Sequence, residues 1–382
     1  MNISGSQRTD SAITQGSIRK GTAISIGKTK RTPDASGGDT HIRRPASIRD
    51  LAAHLGLSLT TVSRVMNNCG SEYRIALTTQ KRVLEAAASL NYEPNVFASG
   101  LRRKRSFTAG VMVPEISEGY AATVLSGIED ALLQEKFFYF VVSHRHRAEL
   151  LEKYPRLLLS RAVEGIIAVD TPIQEQLPVP VVAVSGHRRK KGIVSIEIDH
   201  LAAAELALSH LCELGHRRIA FIKGQTFSSD TSARWDAICR TCTSMGIRIH
   251  PELVVRLEGM APGSEPGSIA TRKLLERGRH FTALFCFNDA SAIGAIAALH
   301  EAGLHVPHQI SVVGFDDIPG AATIRPGLTT VRQPLYEMGQ TAAVNLLRLI
   351  QEGMSEPKAS SILVKPSFIR RHSTDRADRA RP

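Results

Sequence analysis

The chain is poor in the features that mark secreted, membrane and catalytic proteins. It has five cysteines in 382 residues, Cys69, Cys212, Cys239, Cys242 and Cys286. The number is odd and the spacing irregular, which excludes a disulfide framework. Cys239 and Cys242 form a lone C-x-x-C in a stretch that reads as helix, so they are expected to be ordinary helix residues. No apolar run reaches the roughly 18–20 residues that span a bilayer, and the first residues hold no apolar signal core. No membrane partner is expected, and the compartment expected is the reduced cytoplasm. The chain also lacks a G-x-S-x-G turn, a G-x-x-x-x-G-K-[ST] phosphate loop and an H-E-x-x-H pair. Catalytic residues, metal ligands and cofactors are therefore not expected, and the chain does not read as an enzyme.

Charge is present but unevenly placed. The formal net charge is +12. Residues 1–105 carry 17 Lys/Arg against 7 Asp/Glu, and residues 106–382 carry 31 against 29. A cationic N-terminal part on a nearly neutral body is the footprint of a polyanion-binding module.

Inside that part, residues 47–67 read SIRDLAAHLGLSLTTVSRVMN. Ile48, Leu51, Ala52 and Leu55 recur at helical spacing. Gly56 can take the left-handed backbone that ends a helix. Ser58 is a good N-cap for a second helix, whose apolar face is Val62, Val65 and Met66. Leu59, Thr60, Ser63, Arg64 and Asn67 are then left exposed, the side-chain types that touch phosphates and base edges in a major groove. This is the helix-turn-helix pattern. A plain helical hairpin would also fit the run alone; the charge asymmetry favours DNA.

Residues 1–45 read as a disordered basic tail. After a loop, Cys69–Leu77, Thr78 or Thr79 is expected to cap a third helix with Val83, Leu84, Ala87 and Leu90 on one face. Asn91–Asn95 ends it, and VFASGLRRKRS (96–106) reads as a linker. From residue 107, short β-rich runs (109–113, 138–142, 165–169, 181–184, 219–222, 283–287, 310–315) alternate with amphipathic segments near 123–135, 148–161, 200–214, 232–245, 268–277 and 290–302. Continuous apolar strands alternating with helices predict parallel sheets covered on both faces. About 275 residues of this pattern suggest two α/β lobes with a cleft between them.

Ligands in such sheets bind beyond the carboxyl ends of the strands. That rule selects Pro114–Tyr120, Ser143–Arg145, Asp170, Ser185–His187, Lys223–Phe227, Asn288–Asp289 and Asp316–Asp317, with Arg234 on the following helix. Carboxylates and an Asn beside an Arg suit a polyhydroxylated ligand. Asn288 and Asp289 also fit as caps of helix 290–302. His144, His146 and His187 stand among arginines and lysines and are expected in solvated loops.

Five blocks now resemble the lactose-repressor/galactose-repressor (LacI/GalR) family over roughly residues 46–372. They are SIRDLAAHLGLSLTTVSRVMNN; LNYEPNVFASGLRRKRS; LGHRRIAFIKG; FCFNDASAIGAIAALHEAGLHVP; and ISVVGFDDIPGAATIRPGLTTVRQP with EMGQTAA. The resemblance implies an all-α helix-turn-helix head (46–93), a hinge helix (94–106) and a type I periplasmic-binding-protein-like core (107–372) of two doubly wound lobes. Lobe one would take about 107–199 and 333–360, and lobe two about 200–330 and 361–370, with 373–382 a disordered tail. It also implies a repressor acting as a homodimer or tetramer on a near-palindromic double-stranded operator. A small-molecule effector would control it: a sugar, sugar acid or sugar phosphate. A solute receptor with the same core is the alternative.

By matching position, Leu59, Thr60 and Arg64 fall at base-reading sites, and Ser58, Thr61, Ser63 and Asn67 at phosphate-contact or capping sites. Asn95, Ala98 and Leu101 fall in the hinge, the last two at the minor-groove wedge. Ser185, Arg234, Asn288 and Asp316 fall at effector-binding sites. Four departures bear on this. Ser185 stands where many members have Asp. PEISEGY (114–120) lacks the usual aromatics. Gly100 weakens the hinge helix by roughly 1 kcal/mol relative to Ala. GSEYRIAL (70–77) replaces the usual loop between the second and third helices. The basic run His187–Lys191 would suit an anionic effector.

Overall fold

The computed structural model describes residues 46–67, 69–92, 105–116, 119–185, 192–278, 280–353 and 360–377. The chain divides at Pro94 into two compact units. In the first, α1 (Ile48–Leu55) opens with a capping box. Ser47 Oγ accepts from the Asp50 amide, and Asp50 Oδ2 accepts from the Ser47 amide at 2.8 Å. Gly56 closes α1 at φ 65, and the Leu57 amide reaches back to the Ala52 carbonyl. Ser58 caps α2 (Leu59–Met66), its Oγ accepting from the Thr61 amide at 3.1 Å.

The third helix, α3, runs Leu77–Ser89 with Ala76 at its N-cap and no side-chain cap bond. Neither Thr78 nor Thr79 is the cap; both lie inside the first turn. Asn91 ends the helix at φ 49, with the Tyr92 amide donating to the Ala87 carbonyl at 2.8 Å, a Schellman closure. Leu51, Val62, Val65, Val83, Ala86 and Ala87 form the centre of this unit. Leu84, expected on the buried face, is 51% exposed, and Ala86 takes its place.

The second unit holds two sheets. The first contains β1 (Thr108–Val113), β2 (Phe138–Ser143), β3 (Gly165–Val169), β4 (Val181–Val184), β5 (Ile193–Ile198) and β11 (Ser360–Val364), in the order β11-β5-β4-β3-β1-β2, all parallel. The second contains β6 (Ile219–Lys223), β7 (Val254–Arg256), β8 (Ala283–Cys286), β9 (Ser311–Asp316), β10 (Thr329–Arg332) and β12 (Ser367–Ile369). Its order is β12-β10-β9-β8-β6-β7, parallel except for β12 against β10. Both are doubly wound.

Helices α4 (Gly119–Gln134) and α11 (Leu335–Glu352) bury one face of sheet one, and α5 (Ala148–Ser160) the other. Helices α6 (His200–Glu213) and α7 (Asp230–Ser244) cover one face of sheet two. Helices α8 (Glu265–Glu276) and α9 (Asp289–Glu301) cover the other, and the short α10 spans Pro319–Thr323. The chain passes between lobes after β5, after β10 and after β11. Cys239 and Cys242 lie on α7 with thiols raised by burial, so they are helix residues.

Two expected boundaries are corrected. Residues 360–364 pair with β5 in the first sheet, so only 367–369 return to the second. Residues 373–377 are not a loose tail. Ser373 O accepts from the Val312 amide at 2.7 Å, and the Ala377 amide donates to Leu214 O at 2.8 Å. Ser311, Thr329 and His216 hold the segment further. Backbone bonds of this kind leave no sequence signal in a polar stretch.

Candidate functional site

Sheet order reverses between β1 and β3 in lobe one and between β6 and β8 in lobe two. The carboxyl ends beside those switch points face a cavity of about 390 Å³. Lobe one supplies Pro114, Glu115, Tyr120, Arg145, His146 and Asp170; lobe two supplies Gln225, Phe227, Ser228, Asp230, Arg234, Phe287, Asn288 and Asp316. The lobes touch across it. Asp170 Oδ1 accepts from Ser229 Oγ at 2.5 Å and from the Ser229 amide at 3.1 Å. The His146 ring lies 4.0 Å from the Phe227 ring, centroid to centroid.

Arg234 is the anchor of the lobe-two wall. It pairs with Asp230 at 3.1 Å, donates to the Phe287 carbonyl and lies over the Phe315 ring at 3.6 Å. Its Nε has no hydrogen-bond partner among the described residues. Asp316 ends β9 at φ 118, a backbone rarely taken by a residue with a side chain. Burial pushes its carboxyl well above the usual range, with Arg234 pulling the other way. Gln333 Nε2 donates to it at 2.6 Å. Tyr120 Oη donates to Ser185 Oγ at 3.0 Å, its phenol raised by burial and by Asp230, Asp170 and Asp316. Asn288 caps α9 through Oδ1, which accepts from the Ser291 amide at 2.9 Å.

On the head, Leu59, Thr60, Arg64 and Asn67 are exposed on α2. Leu59 and Thr60 occupy its first turn and Arg64 stands near its end. Ser58 and Thr61 are joined at the cap, oxygen to oxygen at 2.9 Å. Ser63 is buried, contrary to expectation. Asn67 Nδ2 reaches back to the Ser63 carbonyl at 2.7 Å, so it closes the helix as well as facing solvent.

A profile described as "Bacterial regulatory proteins, lacI family" matches residues 47–95, and one described as "Periplasmic binding protein-like domain" matches residues 208–374. The HTH-type transcriptional repressor PurR of Glaesserella parasuis is 32% identical over 320 residues, 82% of this chain and 92% of that protein. Catabolite control protein A of Priestia megaterium is 31% identical over 327 residues, 84% and 96% of the two chains. The lac repressor dimer bound to operator and the anti-inducer ONPF superposes with a TM-score of 0.76 at 28% identity, covering 87% of this chain and all of that one.

The chain belongs to the LacI family of bacterial regulatory proteins. It is a DNA-binding transcriptional regulator under effector control, with a helix-turn-helix unit and a two-lobed periplasmic-binding-protein-like core. A solute receptor would leave the head without a role, and the relatives are regulators rather than enzymes.

In this LacI-family chain Arg234, Asn288 and Asp316 meet at one cavity. Ser185 does not line it; it is buried behind Tyr120. Asp289 turns away, accepting from Thr330 Oγ1 at 2.6 Å and the Ile318 amide at 2.9 Å, and Asp317 is paired with Arg332 and Arg371. His144 is not a solvated loop residue. It is buried, its Nδ1 accepts from the His146 amide and its Nε2 lies 2.9 Å from Thr171 Oγ1. Burial pulls it down to about 4. Sequence reasoning missed Asp230, whose signal is its i,i+4 spacing to Arg234, and Phe287, the residue just before Asn288. Asn95, Ala98, Leu101 and His187–Lys191 lie outside the described residues.

Proposed function

We propose that the protein is a homodimeric repressor that reads a near-palindromic operator in the cytoplasm and is switched by an uncharged, hydroxyl-rich effector such as a sugar. The observation that carries the reading is the exposure of Leu59, Thr60 and Arg64 together on one capped helix, within residues 1–105 that carry 17 Lys/Arg against 7 Asp/Glu. An Arg donates two parallel hydrogen bonds to guanine O6 and N7, and a short hydroxyl or apolar side chain reads its neighbours. Ser58, Thr61 and Asn67 belong to phosphate contact or capping. One head spans few base pairs, so twofold symmetry is needed to lengthen the site. Asn95, Ala98 and Leu101 keep the hinge role that the family resemblance assigns, with Leu101 as the minor-groove wedge.

Among the described residues lining the cavity, Glu115, Asp170 and Asp230 face two guanidiniums, Arg145 and Arg234, while burial favours the neutral form of Asp316. That balance disfavours a sugar acid or sugar phosphate. An effector that prefers one lobe arrangement changes DNA affinity by linkage.

Selection of a duplex from a twofold-symmetric random pool tests the reading. Arg64→Ala is expected to lose about 1–3 kcal/mol of discrimination, roughly 5- to 150-fold, while binding to random DNA persists. Equal losses on both would end the base-reading role. A thermal-shift screen of neutral sugars, sugar acids and sugar phosphates tests the effector class, since a ligand of the folded form raises the midpoint.

A further inference from the structure

The loop that departs from the family pattern, residues 70–77, carries a residue that touches the proposed base reader. The Arg64 guanidinium lies over the Tyr73 ring, 3.7 Å from its centroid. Both side chains are exposed, so burial does not force the contact.

The loop is built to hold that ring. The Cys69 amide donates to the carbonyl of Arg64 itself at 2.9 Å, and the Tyr73 amide donates to Cys69 O. The turn closes with the Arg74 amide on Ser71 O and the Ile75 amide on Gly70 O at 2.9 Å. Ile75 packs into the head's apolar centre, and Gln80 Nε2 donates to its carbonyl at 2.8 Å. Gly70 sits so close to Gln80 that a Cβ there would lie 2.6 Å from Gln80 Cδ. Tyr73 is thus fixed from both sides by a loop that starts at the end of α2 and is anchored on α3.

A guanidinium stacked flat on an aromatic face keeps its N–H groups in the plane, directed outward at the edge. That is the geometry for two parallel bonds to a guanine. An Arg on an exposed helix otherwise loses rotamer freedom when it binds. We propose that Tyr73 is a positioning residue for Arg64: it holds the guanidinium edge-out and so sharpens the base pair that Arg64 reads. The proposal rests on Arg64 being a base reader.

The test is a double-variant cycle on the full-length protein. Wild type, Tyr73→Phe, Tyr73→Leu, Arg64→Ala and Arg64→Ala/Tyr73→Leu are titrated against the selected duplex, single-base-pair variants of it and random DNA. Tyr73→Phe keeps the ring and is expected within twofold of wild type. Tyr73→Leu is expected to lose about 5- to 10-fold on the selected duplex, at the same base pair that Arg64→Ala relaxes, with random-DNA binding and melting temperature unchanged. In the Arg64→Ala background Tyr73→Leu should add nothing. If Arg64→Ala relaxes one base pair while Tyr73→Leu is silent, tighter-binding, equally weakening on random DNA or fully additive, Tyr73 does not position Arg64 and the base-reading role stands. Loss in Tyr73→Phe equal to that in Tyr73→Leu assigns the effect to the hydroxyl and overturns the stacking. If Arg64→Ala leaves discrimination intact, the base-reading role and this proposal fail together.

Discussion

The guanidinium of Arg234 shows how one side chain can serve stability and recognition at once. It is 4% exposed, paired with Asp230 and placed over the rings of Phe287 and Phe315. Its partner is equally buried, so truncation removes the guanidinium paired with a carboxylate in a low-dielectric wall. Arg234→Ala is expected to cost about 3–5 kcal/mol of unfolding free energy, read by urea titration. Arg234→Ala combined with Asp230→Asn should recover part of that loss, because the buried carboxylate that the guanidinium offset is gone with it. A loss under 1 kcal/mol in the single variant would show that water, not Arg234, solvates Asp230. Position after a strand end was enough to find Asn288 and Asp316 in the sequence, and Arg234 came from the helix that follows β6. That position also offered Ser185, which bonds Tyr120, Asp289, which accepts from Thr330 and the Ile318 amide, and Asp317, which pairs with Arg332 and Arg371, none of them lining the cavity. Which side of a strand end a short polar side chain faces depends on the residue packed against it. For Ser185 that residue is Tyr120, 65 positions away.

Elements whose signal is local were legible; elements stabilised by neighbours were not. The helices α1 and α2 carry their own stops and starts, Gly56 and Ser58, and both lie where the spacing placed them. The apolar strands β1, β3, β4 and β9 were equally plain. The strands β5, β7, β10, β11 and β12 were not read from pattern, because their sequences IVSIEI, VVR, TTVR, SSILV and SFI are short or interrupted by polar residues. Each extends a sheet outward from a strand already in it: β5 on β4, β11 on β5, β10 on β9, β12 on β10 and β7 on β6. The third helix start was missed for the reverse reason: Thr78 and Thr79 look like caps, yet Ile75, held in the core, sets the first turn ahead of them. The Ser58 cap is therefore testable on its own. Ser58→Ala removes the acceptor for the Thr61 amide and is expected to weaken α2 by about 1 kcal/mol, seen as faster hydrogen exchange of α2 amides. Unchanged exchange would mean that packing of Val62 and Val65 alone holds the helix.

At the scale of the whole molecule the two-lobed unit contains buried titratable groups with opposite pH signs. His144 and His210 are pulled down to about 4 chiefly by burial, and His216 is lowered as well. His210 and His216 hold the C-terminal segment through Thr374 and Asp375. In the unfolded chain a histidine titrates near 6.5, so between about pH 4 and 6.5 the unfolded state binds more protons. Each histidine thus contributes stability that is complete above about 6.5 and is lost on acidification. Asp289 acts the other way. Burial pushes it up to about 7, so from about pH 4 to 7 the folded state holds the extra proton. Its contribution is complete at low pH and is lost as pH rises. In the wild type these slopes partly cancel, and a flat profile between pH 4.5 and 6.5 would hide both. Variants separate them. Stability measured by denaturant titration should rise more steeply with pH in Asp289→Asn than in wild type. It should rise less steeply, or fall, in His210→Gln. Asparagine can still accept from the Ile318 amide while Thr330 turns to accept from it, so Asp289→Asn preserves the joint between α9 and β10. If both variants keep the wild-type slope, the charges at these sites are solvated and the two-lobed unit breathes more than its packing implies.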